Sequence, residues 1–497
     1  MKLEQIFRKN KSVILTLTIV SFLCLGLILF NPFALKDNAI YTLCIAITVI
    51  GLWIGELLPM PVTALLPLIL FPSFKLAKLN TICSSYADPI IFLFMGGFFI
   101  AIAIEKWNLH RRIALNIIYF TGLENNRILL GFMLSTFFIS MWISNTATTM
   151  MMYPIGLSIL QVIGQSNSIK ESRNFNIAIM LSIAYASNIG GLATLVGTPP
   201  NSAYVAYMNA NHNYSISFLD WMMIGTPIAV ILIILLYLLF AYVLFPSKLN
   251  KSEETKLYLN KEIEKIGPWS YQEKIVMIVF CLTAFLWISK DFINKLSGLE
   301  LNDTLIALLG AVLLFAIPSK IAKKHMDFEI DETAIQGSRI LNWEDTNKMA
   351  WGILLLFGGG LALAKQLEDV GLLNLLGNAI QSNLNQNIFL LILLIATVSI
   401  FLSEVMSNIA QVIVFSPIVT AIAIAANISP LYLGIPMTLA ASCAGMLPMG
   451  TPPNAIVFGS KLIPLPSMLK AGFWVNILSI LTISILSYLL IPIINHL

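Results

Sequence analysis

Long apolar segments make up most of this chain, and short polar segments separate them. A transmembrane helix needs about 20 consecutive, predominantly apolar residues. Eleven segments are about this long or longer, and we predict that each one crosses a membrane: residues 13–31, 39–57, 61–76, 88–107, 177–208, 218–245, 272–290, 302–318, 348–367, 431–460 and 469–495. The third segment is short and rich in proline. The pattern therefore predicts an all-α polytopic membrane protein.

Two further apolar stretches, 126–164 and 387–426, are nearly twice the length of a single span. Ser144-Asn145 and Ser407-Asn408 lie near their midpoints. Each stretch is either two spans joined by a tight turn or a re-entrant hairpin with the Ser-Asn pair at its tip. Irregular backbone at membrane depth is tolerated only where protein or a water-filled cavity satisfies it. The uncharged tips favour re-entrant hairpins.

Composition agrees with this class of protein and excludes several others. The chain is 58% hydrophobic and 11% charged, against roughly 25% charged in soluble domains. It contains no G-x-x-x-x-G-K-[ST] loop, so ATP-driven transport is not encoded here. It also lacks an H-E-x-x-H motif, and it has only four histidines. We therefore expect no enzyme activity and no nucleic-acid partner.

The distribution of basic residues predicts the orientation. Cytoplasmic loops carry an excess of lysine and arginine. With the N-terminus in the cytoplasm, the basic segments 106–112, 170–173, 248–274 and 320–339 all fall on that side, while 209–217 and 427–430 contain no lysine or arginine. We expect a multi-pass protein of the cytoplasmic (inner) membrane with its C-terminus outside.

The two halves of the chain repeat the same features at fixed separations. Ser407 follows Ser144 by 263 residues, and the same shift relates Phe94-Met95-Gly96-Gly97 to Phe357-Gly358-Gly359-Gly360. Gly-Thr-Pro-Pro-Asn occurs at 197–201 and again at 450–454, a shift of 253. After the first helix, each half holds five spans and one hairpin. Because five is odd, the second unit enters from the opposite face, which predicts an inverted repeat.

These motifs suit the binding of ions at membrane depth. Paired prolines remove amide donors and stop a helix, and the adjacent glycine lets the chain turn. Carbonyls freed at such a break, together with serine and asparagine oxygens, are ligands for a hard cation. Neither motif contains a carboxylate, which favours a monovalent ion. Helix N-termini, threonine hydroxyls and asparagine amides would hold an anion. Simple proline kinks, or polar contacts between helices, are the alternatives.

At these residues the chain resembles the divalent anion:sodium symporter (DASS) family, which carries di- and tricarboxylates and, in some members, sulfate. The resemblance covers nearly the whole chain and includes the strings at 351–363 and 438–460. It implies an inverted-repeat ion-transporter fold with about 11 transmembrane helices and two re-entrant hairpins. It also implies a homodimer in which a transport domain moves against a scaffold in an elevator motion.

The resemblance also implies which residues bind the ions and the substrate. Two or more Na⁺ ions would be held by Ser140, Ser144, Asn145, Gly197, Ser403, Met406, Asn408 and Gly450. The anion would meet Asn145, Thr146, Thr198, Pro199, Asn408, Ile409, Thr451 and Pro452. The expected division assigns 1–125 to the N-terminal helix and scaffold and 126–210 to the first half of the transport domain. Residues 211–385, with the loop 246–274, then belong to the scaffold, and 386–497 to the second half of the transport domain.

One position departs from the family pattern. The second motif usually ends in threonine, and here it ends in Ile409. The change removes a hydroxyl donor, which favours a substrate with one less polar end or a different anion. Both asparagines of the motifs remain, so we expect a Na⁺-coupled importer of a di- or tricarboxylate such as citrate. The alternatives are a sodium-independent anion exchanger, a sulfate transporter of the same fold, or a sensor that binds the anion without moving it.

Overall fold

The computed structural model describes residues 2–31, 35–55, 57–122, 125–164, 169–212, 214–247, 253–319, 339–373, 375 and 387–494. The described part is built from helices, and its only strand-like pairing is one isolated bridge between Pro318 and Arg339. Seven of these helices are long and apolar enough to span a membrane, and shorter apolar helices accompany them. The basic segment 320–338, and 248–252 of the predicted loop 246–274, lie outside the described residues.

The first half of the chain contains twelve helices among the described residues. In chain order they are α1 Lys2–Phe30, α2 Asp37–Ile54, α3 Met60–Thr63, α4 Leu66–Ser73, α5 Leu79–Ser85, α6 Pro89–Lys106, α7 Leu109–Thr121, α8 Asn125–Ser140, α9 Asn145–Gly164, α10 Ile169–Leu192, α11 Pro199–His212 and α12 Phe218–Leu238, which continues as a π-helix over Leu239–Leu244.

The second half contains nine helices within the ranges that the structure describes. They are α13 Glu253–Ile266, α14 Tyr271–Ser297, α15 Asp303–Ala316, α16 Trp351–Asp369, α17 Ile388–Ser403, α18 Asn408–Ala425, α19 Leu431–Ala441, α20 Pro452–Phe458 and α21 Leu465–Ile494. A 3₁₀ turn over Trp343–Lys348 precedes α16.

Each of the two long apolar stretches forms a helix–turn–helix pair, which both predicted alternatives contain. Four residues, 141–144, connect α8 to α9, and another four, 404–407, connect α17 to α18. The two helices of each pair pack against each other. The segments 177–208 and 431–460 are not continuous helices, because each is broken in front of its paired prolines. This break is the one that the Gly-Thr-Pro-Pro-Asn motifs predict.

The segment 61–76 is not the single helix that its apolar run predicts. It forms α3 and α4, which the turn at Ala64 and Leu65 separates. Pro61 and Pro67 lie in the first turns of α3 and α4. Proline fits this position because the first amides of a helix have no intrahelical partner. The prolines therefore explain two short helices in place of one span.

The core lies where the two halves cross. The break helix of each half packs on the hairpin of the other half: α20 contacts α9, and α11 contacts α18. Helix α10 lies at the centre, and every residue from Ile177 to Leu192 is buried, so this part of the helix faces protein rather than lipid. Tyr185 on α10 donates a hydrogen bond of 2.7 Å to the Gly445 carbonyl oxygen of the second break.

Paired glycines allow two close contacts at equivalent places in the two halves. A Cβ on Gly96 of α6 would lie 2.7 Å from the Ala307 backbone, and one on Gly359 of α16 would lie 2.5 Å from the Ala64 carbonyl oxygen. The next glycine faces another way. A Cβ on Gly97 would meet Val196 at 3.0 Å, and one on Gly360 would meet Ile413 at 2.4 Å. Helices α6 and α16 therefore each have one glycine against the backbone of a neighbouring segment, α15 or the turn between α3 and α4, and one against the break or hairpin.

An ion-pair cluster fixes α7, the helix that leads into the first hairpin. The buried Arg112 guanidinium donates to both Glu273 carboxylate oxygens, at 2.9 and 3.0 Å, and to the Gly267 carbonyl at 3.0 Å. Arg111 pairs with Glu262 of α13 at 2.6 Å. The hydrogen bond from Lys265 lowers the pKa of Glu262 below its usual value. These pairs attach α7 to α13 and to the start of α14.

We expect Gly96→Ala and Gly359→Ala to lower the apparent melting temperature of the purified protein. Each added methyl would press on neighbouring backbone, and overpacking of this kind costs about 1–3 kcal/mol. Gly26→Ala on α1 is the matched control, because nothing lies within 4 Å of a Cβ there. Thermal unfolding in detergent provides the comparison. Equal shifts in all three variants would contradict the packing described here.

Candidate functional site

A cavity of about 820 Å³ lies where the hairpin tips and helix breaks of both halves meet. Residues 143–147 and 198–200 of the first half form part of its wall, and 405–410 and 448–453 of the second half form another part. The facing wall comes from the other helices and includes Trp53, Phe98 and Ile353. The sequence motifs thus converge on one space, as their duplication predicts.

Most of the predicted site residues border this cavity. The lining residues are Ser144, Asn145, Thr146, Thr198, Pro199, Met406, Asn408, Ile409, Gly450, Thr451 and Pro452. Ser140, Gly197 and Ser403 do not line the cavity but are buried beside it. The structure therefore brings the predicted set together.

In the first half, three oxygens meet beneath the hairpin tip. Ser140 Oγ lies 2.7 Å from the Ser187 carbonyl oxygen and 3.0 Å from Asn145 Oδ1. A hydroxyl has one proton, and here the carbonyl is the nearer acceptor. Asn145 Oδ1 then faces Ser140 Oγ without a proton between them. Two oxygens directed at the same point fit a shared cation such as Na⁺.

A glycine makes this approach possible. A Cβ on Gly191 would lie 2.3 Å from Asn145 Oδ1, and a Cβ on Gly197 would lie 2.7 Å from the Gly191 carbonyl oxygen. Any larger side chain at Gly191 would displace the asparagine. Close backbone packing therefore holds Gly197 of the break against Gly191, which in turn lies against Asn145.

The second half repeats the same arrangement. Ser403 Oγ lies 2.7 Å from Asn408 Oδ1 and also donates to the Ala441 carbonyl oxygen, which is the nearer of the two acceptors. Ala441 is the last residue of α19, so its carbonyl has lost its intrahelical partner. Each half thus presents one serine–asparagine oxygen pair, and each pair fits a monovalent cation.

The last residue of each Gly-Thr-Pro-Pro-Asn motif holds its break open. Asn201 Nδ2 donates to the carbonyls of Gly191 and Thr194, at 2.9 and 2.8 Å. Asn454 Nδ2 donates to the carbonyls of Ala444 and Leu447, at 3.0 and 3.2 Å. The carbonyls in the two halves are again 253 residues apart. Both asparagines therefore satisfy backbone oxygens that the break removes from the helix, which buried structure requires.

The second break is longer than the first, and a carboxylate supports it. Residues 193–198 separate α10 from α11, whereas 442–451 separate α19 from α20. Glu404 at the second hairpin tip accepts hydrogen bonds from the amides of Met446 and Leu447, at 2.8 and 2.9 Å, and from Asn476 Nδ2 at 2.8 Å. Asn476 Oδ1 accepts from the Gly445 amide at 3.1 Å. Glu404 therefore anchors the unwound chain.

Charged side chains are scarce around the cavity. Among the described residues that line it, only Glu105 and Lys348 are charged, and these two form an ion pair of 3.5 Å. Neither hairpin tip brings a lysine or arginine to the cavity. An anion held between the tips would therefore depend on hydrogen-bond donors, helix N-termini and bound cations.

Sequence reasoning missed Asn188 on α10, which lines the cavity between the two halves. Its side chain lies within hydrogen-bond distance of Asn145 and of Thr451. The sequence does place this asparagine inside the apolar segment 177–208, and a polar residue inside a membrane span is a candidate functional residue. The partners of Glu404 were missed as well.

Comparisons with known proteins agree on one family. A family model described as the sodium:sulfate symporter transmembrane region matches residues 9–494. The sodium-dependent dicarboxylate transporter SdcS of Staphylococcus saprophyticus is 41% identical over 477 residues, which cover 94% of this chain and 89% of the relative. SdcS of Staphylococcus aureus strain USA300 is 38% identical over 476 residues, with 95% of this chain and 89% of the relative covered.

We expect Glu404→Ala to destabilise the protein strongly, because the buried Asn476 amide and the partly buried backbone amides of Met446 and Leu447 would lose their acceptor. Each unsatisfied donor costs about 1–3 kcal/mol. Glu404→Gln keeps one acceptor oxygen and should fall between the alanine variant and the wild type. Glu105→Ala is the control, because its ion pair is long and partly exposed and such pairs contribute little. Melting temperatures in detergent report the order, and equal values for Glu404→Ala and Glu105→Ala would contradict the anchor role.

Proposed function

Since this chain belongs to the sodium:sulfate symporter family, we propose that it is a secondary active symporter that uses a Na⁺ gradient to import a dicarboxylate. It is a multi-pass membrane transporter and not an enzyme. The two staphylococcal relatives are named as sodium-dependent dicarboxylate transporters, and the similarity covers 89% of each relative.

One observation carries the proposal. Two serine–asparagine oxygen pairs lie beside the cavity, and the two hairpin tips bring no basic side chain to it. A dicarboxylate carries two negative charges, and these need compensation away from water. A cation about 4 Å from a carboxylate contributes about 4 kcal/mol at an effective dielectric constant of about 20. We propose two Na⁺ ions, one at each pair, whose departure on the low-Na⁺ side weakens the anion's site.

Helix ends and neutral donors would complete the anion site. Three helices of 14 residues or more begin at the cavity, at Asn145, Pro199 and Asn408. Helix N-termini carry partial positive charge and free N–H groups. The side-chain amide nitrogen of Asn408 and the hydroxyl of Thr198 have no hydrogen-bond partner among the described side chains. Both therefore have donors to offer a carboxylate.

Packing supports an elevator mechanism in which one unit moves against another. We propose that the transport domain contains 126–210 and 386–497, and that 1–125 and much of 211–385 form the scaffold. Helix α12 belongs with the transport domain instead, because Trp221 and Thr226 donate to the Leu192 and Ala193 carbonyls of the first break, both at 3.0 Å. The glycine contacts of Gly97 and Gly360 then lie on the sliding surface.

The same proposal includes the orientation and the assembly. Glu105 and Lys348 line the cavity and their side chains are partly exposed, so we place its opening beside them, at the end of α6 that leads to the basic residues of α7. With the positive-inside orientation, this is an inward-facing state in a cytoplasmic membrane. The N-terminus is then cytoplasmic and the C-terminus lies outside. A homodimer completes the proposal, and it rests on the family resemblance.

We expect proteoliposomes containing the purified protein to accumulate labelled succinate when Na⁺ is high outside, and to accumulate little when choline replaces Na⁺. Citrate and sulfate provide the substrate comparison under the same gradients. Uptake that ignores Na⁺ but requires a dicarboxylate inside would identify an exchanger, and uptake of sulfate alone would identify a sulfate transporter. Binding of succinate without any uptake would identify a sensor.

We expect Ile409→Thr to lower the KM for succinate by up to about tenfold, because a restored hydroxyl adds one hydrogen bond of about 1 kcal/mol. Ile409 lines the cavity beside Asn408. Ile409→Val is the matched control, since valine has the shape of threonine without the hydroxyl. Initial uptake rates over a range of succinate concentrations give both KM values. If Thr and Val behave alike, the hydroxyl has no role there.

A further inference from the structure

Four polar side chains form a line from the first hairpin to the second break. Asn145 Oδ1 lies 3.0 Å from Ser140 Oγ, and Asn145 Nδ2 lies 3.5 Å from Asn188 Oδ1. Asn188 Nδ2 then donates to Thr451 Oγ1 at 3.0 Å. All four residues are buried. The line therefore connects the serine–asparagine pair of the first half with the Thr451 hydroxyl of the second half.

The direction in which these side chains donate determines where the hydroxyl proton of Thr451 points. Thr451 Oγ1 accepts from Asn188 Nδ2 and also from the Asn454 amide at 3.4 Å, as the cap of α20. A hydroxyl oxygen has two acceptor sites and one proton, so both acceptor sites are used. No acceptor for the proton lies within reach among the described side chains, and Thr451 lines the cavity. The proton is therefore available to an anion in the cavity.

A cation bound between Ser140 and Asn145 would keep the hydrogen bonds donating in this direction, from Asn145 to Asn188 and from Asn188 to Thr451. It binds the oxygens of Ser140 and Asn145, which turns the Asn145 amide nitrogen towards Asn188 Oδ1. Without a cation, Asn145 gains a hydrogen bond by turning its nitrogen towards Ser140 Oγ. Its oxygen then faces Asn188, which turns over in the same way. Asn188 Oδ1 would accept the Thr451 proton and withdraw it from the cavity.

We propose that Asn188 is a positioning residue that couples cation binding at Ser140 and Asn145 to anion binding at Thr451. This inference rests on the proposed function, since it requires both a cation and an anionic substrate. Occupancy of the first cation site sets the direction of the relay, and the relay switches the Thr451 hydroxyl between donating to the cavity and donating to Asn188.

The relay exists in one half only. In the second half, Asn408 pairs with Ser403, but its amide nitrogen has no hydrogen-bond partner among the described residues. The stretch that corresponds to Asn188 contains Ala441 and Ser442, and the buried Ser442 hydroxyl has no partner. Asn408 therefore offers its amide to the anion directly, whereas Asn145 acts through Asn188. The two cation sites couple to the anion by different routes.

A double-mutant cycle tests the inference by equilibrium binding. Succinate affinity is measured by isothermal titration calorimetry on purified protein, at high and low Na⁺ with choline as replacement. We expect Asn188→Ala to weaken succinate binding in high Na⁺ by about tenfold, and to shrink the gain in affinity that Na⁺ produces. In a Thr451→Val background, Asn188→Ala should have almost no further effect, because the hydroxyl that it positions is gone.

Thr198→Val is the matched control. Thr198 also lines the cavity, but its hydroxyl has no contact with Asn188. Asn188→Ala should keep its full effect in the Thr198→Val background. Equal effects of Asn188→Ala in the wild-type, Thr451→Val and Thr198→Val backgrounds would overturn the relay and leave a purely structural role. Asn188→Ser replaces Asn188→Ala in the same cycle if the alanine variant does not fold.

The same binding data separate the relay from Na⁺-coupled symport. If wild-type protein binds succinate no better in Na⁺ than in choline, the symport proposal fails. If wild-type binding requires Na⁺ but the cycle shows additive effects, symport stands and the relay is wrong. Non-additivity confined to the Asn188–Thr451 pair supports both.

Discussion

The rest of this structure depends on the need to satisfy polar backbone in the middle of an apolar protein. Two helices are broken at equivalent places, and their freed carbonyls and amides have no water from the bilayer to bind. Asn201 and Asn454 satisfy the carbonyls, and Glu404 and Asn476 satisfy the amides of the longer break. The breaks therefore persist as fixed features, and the serine–asparagine oxygens beside them are the ones that we propose bind Na⁺.

Charge is the second constraint. A dicarboxylate bound at the proposed site would meet neutral donors and helix ends rather than lysine or arginine at the hairpin tips. Such a site is weak without cations and strong with them, which suits a carrier that must both capture and release its substrate. The proposed coupling thus arises from electrostatics, and the proposed relay through Asn188 adds a directional hydrogen-bond route from the Ser140–Asn145 cation site to the anion.

Much of the fold could be predicted from the sequence, because its features are local and duplicated. The hairpin tips at Ser144 and Ser407, and the breaks before the paired prolines, follow from residue type and repeat spacing. The split of 61–76 into α3 and α4 was not predicted, since hydropathy averages over prolines. The contacts of Glu404 and Asn188 depend on how distant helices pack, so no spacing in the chain reveals them. The assignment of α12 depends on tertiary contacts for the same reason.

The central claim is that cations and anion stabilise each other at one site between the two halves. Equilibrium binding of radioactive sodium to the purified protein, with and without a saturating dicarboxylate, tests it most directly. Linkage requires that the anion raise Na⁺ affinity by the same factor by which Na⁺ raises anion affinity. The account predicts a matching increase. Sodium binding that the anion leaves unchanged would contradict it.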